Sequence, residues 1–496
     1  MDNYKTLEKV FKKLNDIEQA KAVLHWDMAT NMPSGGADAR VEQLATLGDI
    51  HHAILTDEGV GDLLENAGTK GRKLNDWQKA NLREMKRAWN HGASVPQKLL
   101  SELTKEGAKC EMVWREARKN NDFKTLLPHL KKVVSIVREI AKLKGQAFGC
   151  SPYDALLDQY DPGRKSEQLD NVFNSLTDFL PDFIKQVVEK QKSVKVSSIK
   201  GPFDVEAQKK IASKVLDIIG FDKNHGRLDE SVHPFCSGYP TDIRITTRYN
   251  ENDFVSSLMG VIHEGGHAMY EEGLPKKWRG QPVGFARGMS IHESQSLLLE
   301  MQACRSREFV GFVSSLLKKE FNSKSKGWSA DNLYNIYNKV EPSLIRVDAD
   351  EVTYPAHVMI RYYIEKYLIS GDMEVEDLPE AWNQGMKKFL GVDVKDDKDG
   401  CMQDIHWMDG TFGYFPTYTL GAIYAAQLFE SANQNNKDIL PAIGKGNFKP
   451  LKEWLNKNVH EKGSKASSDD IVKSATGSEL DVEAYKNHLK KRYLEG

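Results

Sequence analysis

The sequence has few of the features that mark a secreted, membrane-bound or nucleic-acid-binding protein. It holds only five cysteines in 496 residues, without a C-x-x-C pair, which favours free thiols in a reducing compartment over a disulfide framework. It lacks an 18-residue apolar run and an apolar leader at its N-terminus, so neither a membrane span nor a secretion signal is expected. Its net charge of −2 provides no basic field for nucleic acid. We expect a cytoplasmic protein that binds neither membrane nor nucleic acid.

Hydrophobic residues recur at helical spacing along most of the chain. Helical patterns fill residues 1 to about 195 and resume after 253. Only the segment 226–250 alternates in short stretches between turn residues, which predicts two or three strands. The polar, Lys/Ser-rich stretch at 193–201 is the candidate hinge between two lobes. The pattern predicts a mainly α-helical protein with a small β-sheet near 226–250.

The most informative stretch is His263-Glu264-Gly265-Gly266-His267, which has the H-E-x-x-H pattern of zinc peptidases. Histidines four residues apart project from the same face of a helix, where both can bind one ion. A catalytic zinc keeps one position open for water, from which the adjacent Glu264 can take a proton. Each glycine disfavours a helix interior by about 1 kcal/mol, so we predict that a facing element or the substrate passes close to this pair.

A zinc site needs a third protein ligand. Glu293 lies at the expected start of the next helix, and it can face the metal if that helix returns antiparallel to the first. The spacing leaves alternatives open. Ser290 and Glu293 also form the S-x-x-E pattern of a helix cap, and Glu300 and His292 are rival ligands.

Ordered motifs on both sides of this stretch resemble one family, the zinc carboxypeptidases of the thermostable carboxypeptidase Taq type. The resemblance covers most of the chain. The motifs are H-P-F at His233–Phe235, D-x-R-x-T at Asp242–Thr246, H-E-x-x-H at His263–His267, H-E-S-Q at His292–Gln295, I-R-x-x-A-D at Ile345–Asp350 and G-x-x-Q-D-x-H-W at Gly400–Trp407.

The resemblance implies a metal site, a fold and an activity. It implies that His263, His267 and Glu293 bind Zn²⁺, for which Co²⁺ can substitute, and that Glu264 is the general base. The implied fold is a two-lobed helical fold with a deep groove, similar to angiotensin-converting enzyme and neurolysin, in a single peptidase domain over residues 1–496. The implied protein is a homodimer that removes single residues from the C-termini of peptides, with broad side-chain preference.

Peptide hydrolysis also needs a donor for the oxyanion of the tetrahedral intermediate. The resemblance to the helical peptidase fold suggests that a histidine and a tyrosine after Gly400 face the metal. His406 and Tyr418 are the first candidates, and Tyr414 is the second tyrosine. Core packing is the alternative role for either tyrosine.

A carboxypeptidase must recognise the free carboxylate of its substrate, which suits the planar fork of an arginine. Arg346 is the candidate, and an ion pair with an acidic residue of its own segment is the alternative. Arg244 competes with it, although strand alternation places Arg244 and Asp242 on one face as a structural ion pair. His233 is a candidate contact to the substrate backbone.

Three functions are compatible with these patterns. The first is a metallocarboxypeptidase, and the second is an oligopeptidase or dipeptidyl carboxypeptidase with the same metal site. The third is a non-catalytic helical peptide-binding or scaffold protein, against which the intact Glu264 argues. The products separate the first two functions. A carboxypeptidase shortens a peptide by one residue at a time, a dipeptidyl carboxypeptidase shortens it by two, and an oligopeptidase cuts it internally.

Overall fold

The computed structural model describes residues 2–67 and 73–495 and confirms the mainly helical class. The structure is 70% helical, with one three-stranded sheet in the described part of the chain. The α-helices in chain order are α1 (Asn3–Thr30), α2 (Ala37–Leu55), α3 (Glu58–Asn66), α4 (Asp76–Ala93), α5 (Gln97–Lys119), α6 (Phe123–Phe148), α7 (Pro152–Tyr160), α8 (Ser166–Gln191), α9 (Val205–Ile219), α10 (Phe254–Gly273), α11 (Gly288–Leu297), α12 (Arg307–Glu320), α13 (Ala330–Tyr337), α14 (Tyr354–Ser370), α15 (Leu378–Leu390), α16 (Pro416–Asn435), α17 (Ile439–Ile443), α18 (Lys449–Asn458), α19 (Ser468–Thr476) and α20 (Val482–Lys490). The strands are β1 (Gly226–Glu230), β2 (Cys236–Tyr239) and β3 (Asp242–Thr247).

The chain forms two compact units, each built from three separate segments. The first unit contains Met1–Gly92, Lys195–Tyr337 and Gly421–Asp481, and the second contains Ala93–Val194, Asn338–Leu420 and Val482–Gly496. The sheet, α10 and α11 all belong to the first unit. The hinge predicted at 193–201 stays a prediction.

The sheet confirms the strands predicted between 226 and 250. Its order is β1-β3-β2, with β1 parallel and β2 antiparallel to the central β3. Ile243 and Ile245 of β3 are buried, on the side of the strand opposite to Arg244, because successive side chains alternate. Since β3 packs against α10, the sheet supports the helix that carries the H-E-x-x-H motif.

A tryptophan of α1 lies against two arginines of the sheet. Arg227 and Arg244 are paired across β1 and β3, and their guanidinium carbons lie 4.7 and 4.3 Å from the ring centre of Trp26. Each arginine also pairs with an acidic residue of its own strand, Asp229 or Asp242. Cation–π contacts of this kind attach α1 to the sheet.

In the second unit, two buried carboxylates each collect several donors. Glu351 accepts hydrogen bonds from His488, Arg492 and Tyr493, which attach the C-terminal helix to the unit. Glu365 of α14 is fully buried and accepts hydrogen bonds from Trp407 Nε1, Tyr153 Oη and the backbone N–H of Gly413. Glu365 therefore joins α7 and α14 to two points, Trp407 and Gly413, of the segment that leads into α16.

Candidate metal centre

The helix α10 presents the two histidines of the motif. Asp253 caps its N-terminus, where the carboxylate accepts hydrogen bonds from the first free backbone N–H groups of the helix, those of Val255 and Ser256. His263 is half-buried and His267 is buried, with 8% of its surface exposed. Their ring centres lie 5.0 Å apart, as expected for residues four apart on one helix face.

The glycines of the motif lie at two close helix contacts, as predicted. A β-carbon on Gly266 would stand 2.6 Å from the carbonyl oxygen of Gln295 and from the α-carbon of Ser296, both backbone atoms of α11. A β-carbon on Gly265 would stand 2.5 Å from the Ile219 side chain of α9. The glycine pair therefore allows facing elements to approach α10 on two sides.

The close approach of α11 brings Glu293 to the histidines. Its Oε2 lies 3.3 Å from His267 Nε2 and 3.7 Å from His263 Nε2. One potential ligand atom from each of His263, His267 and Glu293 lies within 4.8 Å of the others. Gly421 of α16 also allows close packing against Glu293, since a β-carbon at Gly421 would stand 2.8 Å from the Glu293 side chain.

This donor set fits a divalent zinc-like ion. Two imidazole nitrogens and one carboxylate oxygen are the protein ligands of many catalytic zinc sites. Both histidines direct Nε2 towards Glu293, while their Nδ1 atoms are occupied by hydrogen bonds elsewhere. A metal ligand that is held through its other nitrogen in this way has a fixed ring orientation.

The two rival ligands of the sequence analysis contact the histidines instead. Glu300, in a π-helical segment (Leu298–Ala303) that continues α11, lies 2.9 Å from His263 Nδ1 and accepts a hydrogen bond from Arg305. His292 Nδ1 lies 2.7 Å from His267 Nδ1, and its Nε2 lies 2.8 Å from Glu271. Glu271 was missed by the sequence analysis, although its position four residues after His267 places it on the same helix face.

Glu264 lies beside this cluster with only 6% of its surface exposed. Burial raises the pKa of its carboxyl to about 7, and the His263 imidazole opposes this change. Burial would lower the pKa of His263, but the carboxylates of Glu293 and Glu300 raise it to about 10. The cluster thus concentrates negative charge around two imidazoles, which suits a cation.

In the second unit, Arg346 is buried and pairs with Asp404. The pairing uses Nε and Nη2 of the arginine, and Nη1 donates to the hydroxyl of Tyr354. Arg361 also donates to Asp404. The ion-pair partner of Arg346 is therefore the aspartate of the Q-D-x-H-W motif and not an acidic residue of its own segment.

His406, Tyr414 and Tyr418 lie in the same unit and are half-buried. The ring of His406 packs against Phe415 and Tyr414, and Tyr414 packs edge-on against Tyr418. Burial lowers the pKa of His406 to about 4, although Asp404 opposes this change, so its imidazole is neutral at pH 7.

The remaining candidates lie in the first unit. His233 is exposed in the loop between β1 and β2, and its carbonyl accepts a hydrogen bond from Ser231. Arg244 makes two hydrogen bonds to the carboxylate of Asp242. This confirms the predicted ion pair on one face of β3.

Comparison with solved structures identifies the class of protein that has this fold. The structure of metallocarboxypeptidase 1 from Trypanosoma cruzi superposes with a TM-score of 0.97, at 41% sequence identity and with 99% of each chain covered. Thermostable carboxypeptidase 1 from Thermus thermophilus is 38% identical over 95% of this chain and 94% of its own length. Carboxypeptidase 1 from Bacillus subtilis is 35% identical over 98% of each chain. The fold is that of the metallocarboxypeptidases.

The family itself follows from the sequence match. The model of the carboxypeptidase Taq (M32) metallopeptidase family matches residues 6–493, and the chain belongs to this family. The resemblance drawn from the ordered motifs is thereby confirmed. Membership makes the protein a hydrolase of the metallocarboxypeptidase class, with a divalent metal and peptide substrates. None of the described helices combines the length and apolarity that crossing a membrane requires.

Proposed function

We propose that this protein is a zinc carboxypeptidase that removes one residue at a time from the C-termini of peptides, with broad side-chain preference. One observation carries the proposal. The imidazoles of His263 and His267 and the carboxylate of Glu293 converge to within 4.8 Å, and the carboxylate of Glu264 lies on the same helix beside them. Zinc is the proposed ion because it accepts this mixed donor set, and Co²⁺ can take its place.

Glu264 is the proposed general base and then general acid. A divalent ion at this site supplies a Lewis acid for the scissile carbonyl and for the attacking water. The carboxylate of Glu264 takes the proton from that water and delivers it to the nitrogen of the leaving residue. Its burial keeps competing solvent away during the transfer.

Tyr418 and His406 are the proposed donors to the developing oxyanion. The resemblance to helical zinc peptidases supports this role, and Tyr414 is the second candidate. Preorganised donors of this kind contribute about 3 to 4 kcal/mol each. A Tyr418→Phe variant is therefore expected to lower kcat by about 100-fold or more with little change in KM.

Arg346 is the proposed site for the substrate carboxylate. A guanidinium has five N–H donors, and three of those of Arg346 are used by Asp404 and Tyr354. Counted over the described residues, two N–H donors of Arg346 remain for a substrate, and Asp404 fixes the plane in which they lie. His233, in an exposed loop, is the proposed contact to the substrate backbone.

We also propose a cytoplasmic homodimer in which one peptidase domain over residues 1–496 has two lobes and a hinge near 193–201. All five cysteines are free thiols, which suits a reducing compartment. The dimer rests on the family resemblance. Light scattering of the purified protein tests the dimer, and a mass of one chain would contradict it.

Mass spectrometry of peptide digests tests the activity. A peptide with a free C-terminus is expected to give a ladder of products that differ by one residue, and the amidated peptide is expected to stay intact. Activity should disappear with a chelator and return with Zn²⁺ or Co²⁺. The Glu264→Gln variant, purified in parallel, is the control for contaminating peptidases.

Three results would redirect the proposal. Products that differ by two residues would indicate a dipeptidyl carboxypeptidase. Internal cleavage of the amidated peptide would indicate an oligopeptidase. Equal activity of Glu264→Gln and the parent would show that the hydrolysis comes from another protein.

A further inference from the structure

The contacts of His267 extend beyond the metal site to two residues that the proposed mechanism does not use. His292 reaches His267 from α11, and Glu271 reaches His292 from the next turn of α10. The side chains of His292 and Glu271 expose only 16% and 22% of their surfaces. The three groups form a continuous line of hydrogen bonds that begins at a candidate metal ligand.

The positions of the protons in this line follow from the chemistry of imidazole. A histidine that binds a metal through Nε2 carries its proton on Nδ1. His267 then donates from Nδ1 to Nδ1 of His292, which must accept. The single proton of His292 is therefore on Nε2, where it is donated to the carboxylate of Glu271.

We propose that His292 and Glu271 are positioning residues that fix the tautomer and ring orientation of His267, so that its Nε2 lone pair points at the metal. His263 is held differently, by a carboxylate in direct contact with its Nδ1 and paired with Arg305. Among the described residues, the Nδ1 atom of His267 contacts the His292 ring and not a carboxylate. The acceptor, Glu271, therefore acts on His267 through the intervening His292 ring. The inference rests on the proposed metal site.

Glu271 is the residue at which this arrangement can be tested without disturbing the core. It lines a cavity of about 430 Å³ together with His292 and Leu274, so another side chain of similar length can be accommodated. Glu271→Met removes both the charge and the acceptor. Glu271→Gln removes the charge but keeps an oxygen that can accept from His292 Nε2. Glu272→Met is the matched control, because Glu272 is 24% exposed and pairs with Lys452 outside this line of bonds.

The experiment measures the Zn²⁺ affinity of the full chain by competition with a chelator. Removing an outer partner of a metal-bound histidine weakens the site by about 10- to 100-fold, and we expect this for Glu271→Met. Glu271→Gln keeps an acceptor and should lose less than about 10-fold in Zn²⁺ affinity, and Glu272→Met should equal the parent. The absorption spectrum of the Co²⁺-loaded protein should change in Glu271→Met alone, because the ring of His267 is free to turn.

Three results would contradict the proposed roles of these residues. Equal losses of Zn²⁺ affinity in Glu271→Met and Glu271→Gln would mean that Glu271 acts through its charge alone. That result would overturn the proposal that Glu271 fixes the tautomer of His267. Parental affinity and spectrum in Glu271→Met would overturn it as well. A parent protein that binds no equivalent of Zn²⁺ or Co²⁺ would refute the metal site itself, which separates that failure from a failure of the positioning residues alone.

Discussion

Replacing Gly266 by alanine tests whether the close approach of α11 to α10 sets the geometry of the metal site. The new β-carbon would stand 2.6 Å from the Gln295 carbonyl oxygen, 2.6 Å from the Ser296 α-carbon and 3.0 Å from the Gln295 carbonyl carbon. All three are backbone atoms, so no side-chain rotation relieves the overlap. The helices themselves must move apart.

The size of that movement follows from ordinary contact distances. Carbon atoms pack at about 3.5 to 4.0 Å, so α11 must shift by about 1 Å to accommodate the methyl group. Overpacking of this kind costs about 1 to 3 kcal/mol, while the exchange of glycine for alanine in a helix returns about 1 kcal/mol. The free energy of unfolding should therefore fall by no more than about 2 kcal/mol.

Zn²⁺ binding and catalysis should be weakened far more than the stability of the fold. Metal–ligand distances hold to about 0.2 Å, and Glu293 moves with α11 as a whole. A displacement near 1 Å in an active site costs about 100-fold in rate. We expect Gly266→Ala to fold at ordinary temperature, to bind Zn²⁺ at least about tenfold more weakly, and to lose about 100-fold in kcat/KM.

Gly260→Ala is the matched control on the same helix. Outside the backbone of α10 itself, the nearest described atom to a β-carbon at Gly260 is the Thr247 hydroxyl, at 4.0 Å. The substitution should therefore raise the free energy of unfolding by about 1 kcal/mol and leave Zn²⁺ affinity unchanged. Chelator competition and denaturant unfolding of the two variants supply both numbers. Parental Zn²⁺ affinity and activity in Gly266→Ala would refute the view that this contact sets the position of Glu293.

Three further predictions concern the second unit. Glu365→Gln should lower the free energy of unfolding by about 1 to 3 kcal/mol at pH 5. The amide nitrogen of the glutamine cannot accept a hydrogen bond, so at least one of the three donors to Glu365 would lose its acceptor. Burial raises the pKa of Glu365 to about 7, above its unfolded value. The folded parent therefore loses stability as the pH rises from about 4.5 through 7 and Glu365 ionises, whereas the variant does not. The difference in unfolding free energy between parent and variant should shrink over this range. A difference that is independent of pH in denaturant titrations would contradict this. Arg346→Lys should raise KM for free-acid peptides by about 10- to 100-fold through loss of a charge-assisted hydrogen bond, whereas unchanged steady-state kinetics would rule out contact with the substrate carboxylate. Truncation after residue 487 strips Glu351 of three partners and should cost about 3 to 5 kcal/mol; a parental denaturation midpoint would show that the carboxylate finds other donors.

The fold class and the two histidines of the motif could be predicted from the sequence because both depend on local periodicity, whereas Glu293 was singled out only by the family resemblance. Hydrophobic residues at helical spacing identified most of the chain as helical, and alternating residues between turns located the small sheet. The spacing of four within H-E-x-x-H fixes two histidines on one face whatever the rest of the chain does. The glycine pair was also informative, since two costly residues in one helix indicated a close contact.

Other features depend on contacts between distant segments and could not be derived from spacing. Arg346 was predicted to bind the substrate carboxylate, with an ion pair inside its own segment as the alternative. Its ion-pair partner is Asp404, which the chain brings to it only on folding. His292 and Glu300 were considered as metal ligands because their residue types allow it. Only the packing of α11 shows that each contacts a histidine Nδ1 instead.

The H-E-S-Q segment works as a unit because an imidazole has two nitrogens on different edges of its ring. Successive residues of a helix point about 100° apart, so His292 and Glu293 reach opposite edges of His267, one at Nδ1 and the other at Nε2. This pair fixes the rotation of α11 about its own axis, since a turn that improves one contact breaks the other. The side-chain oxygen of Gln295 accepts a hydrogen bond from His460 Nε2. The backbone carbonyl of Gln295 lies against Gly266, which fixes the distance between the helices. Because both the rotation and the distance of α11 are fixed, the Glu293 carboxylate is held beside His263 and His267 in the candidate donor set.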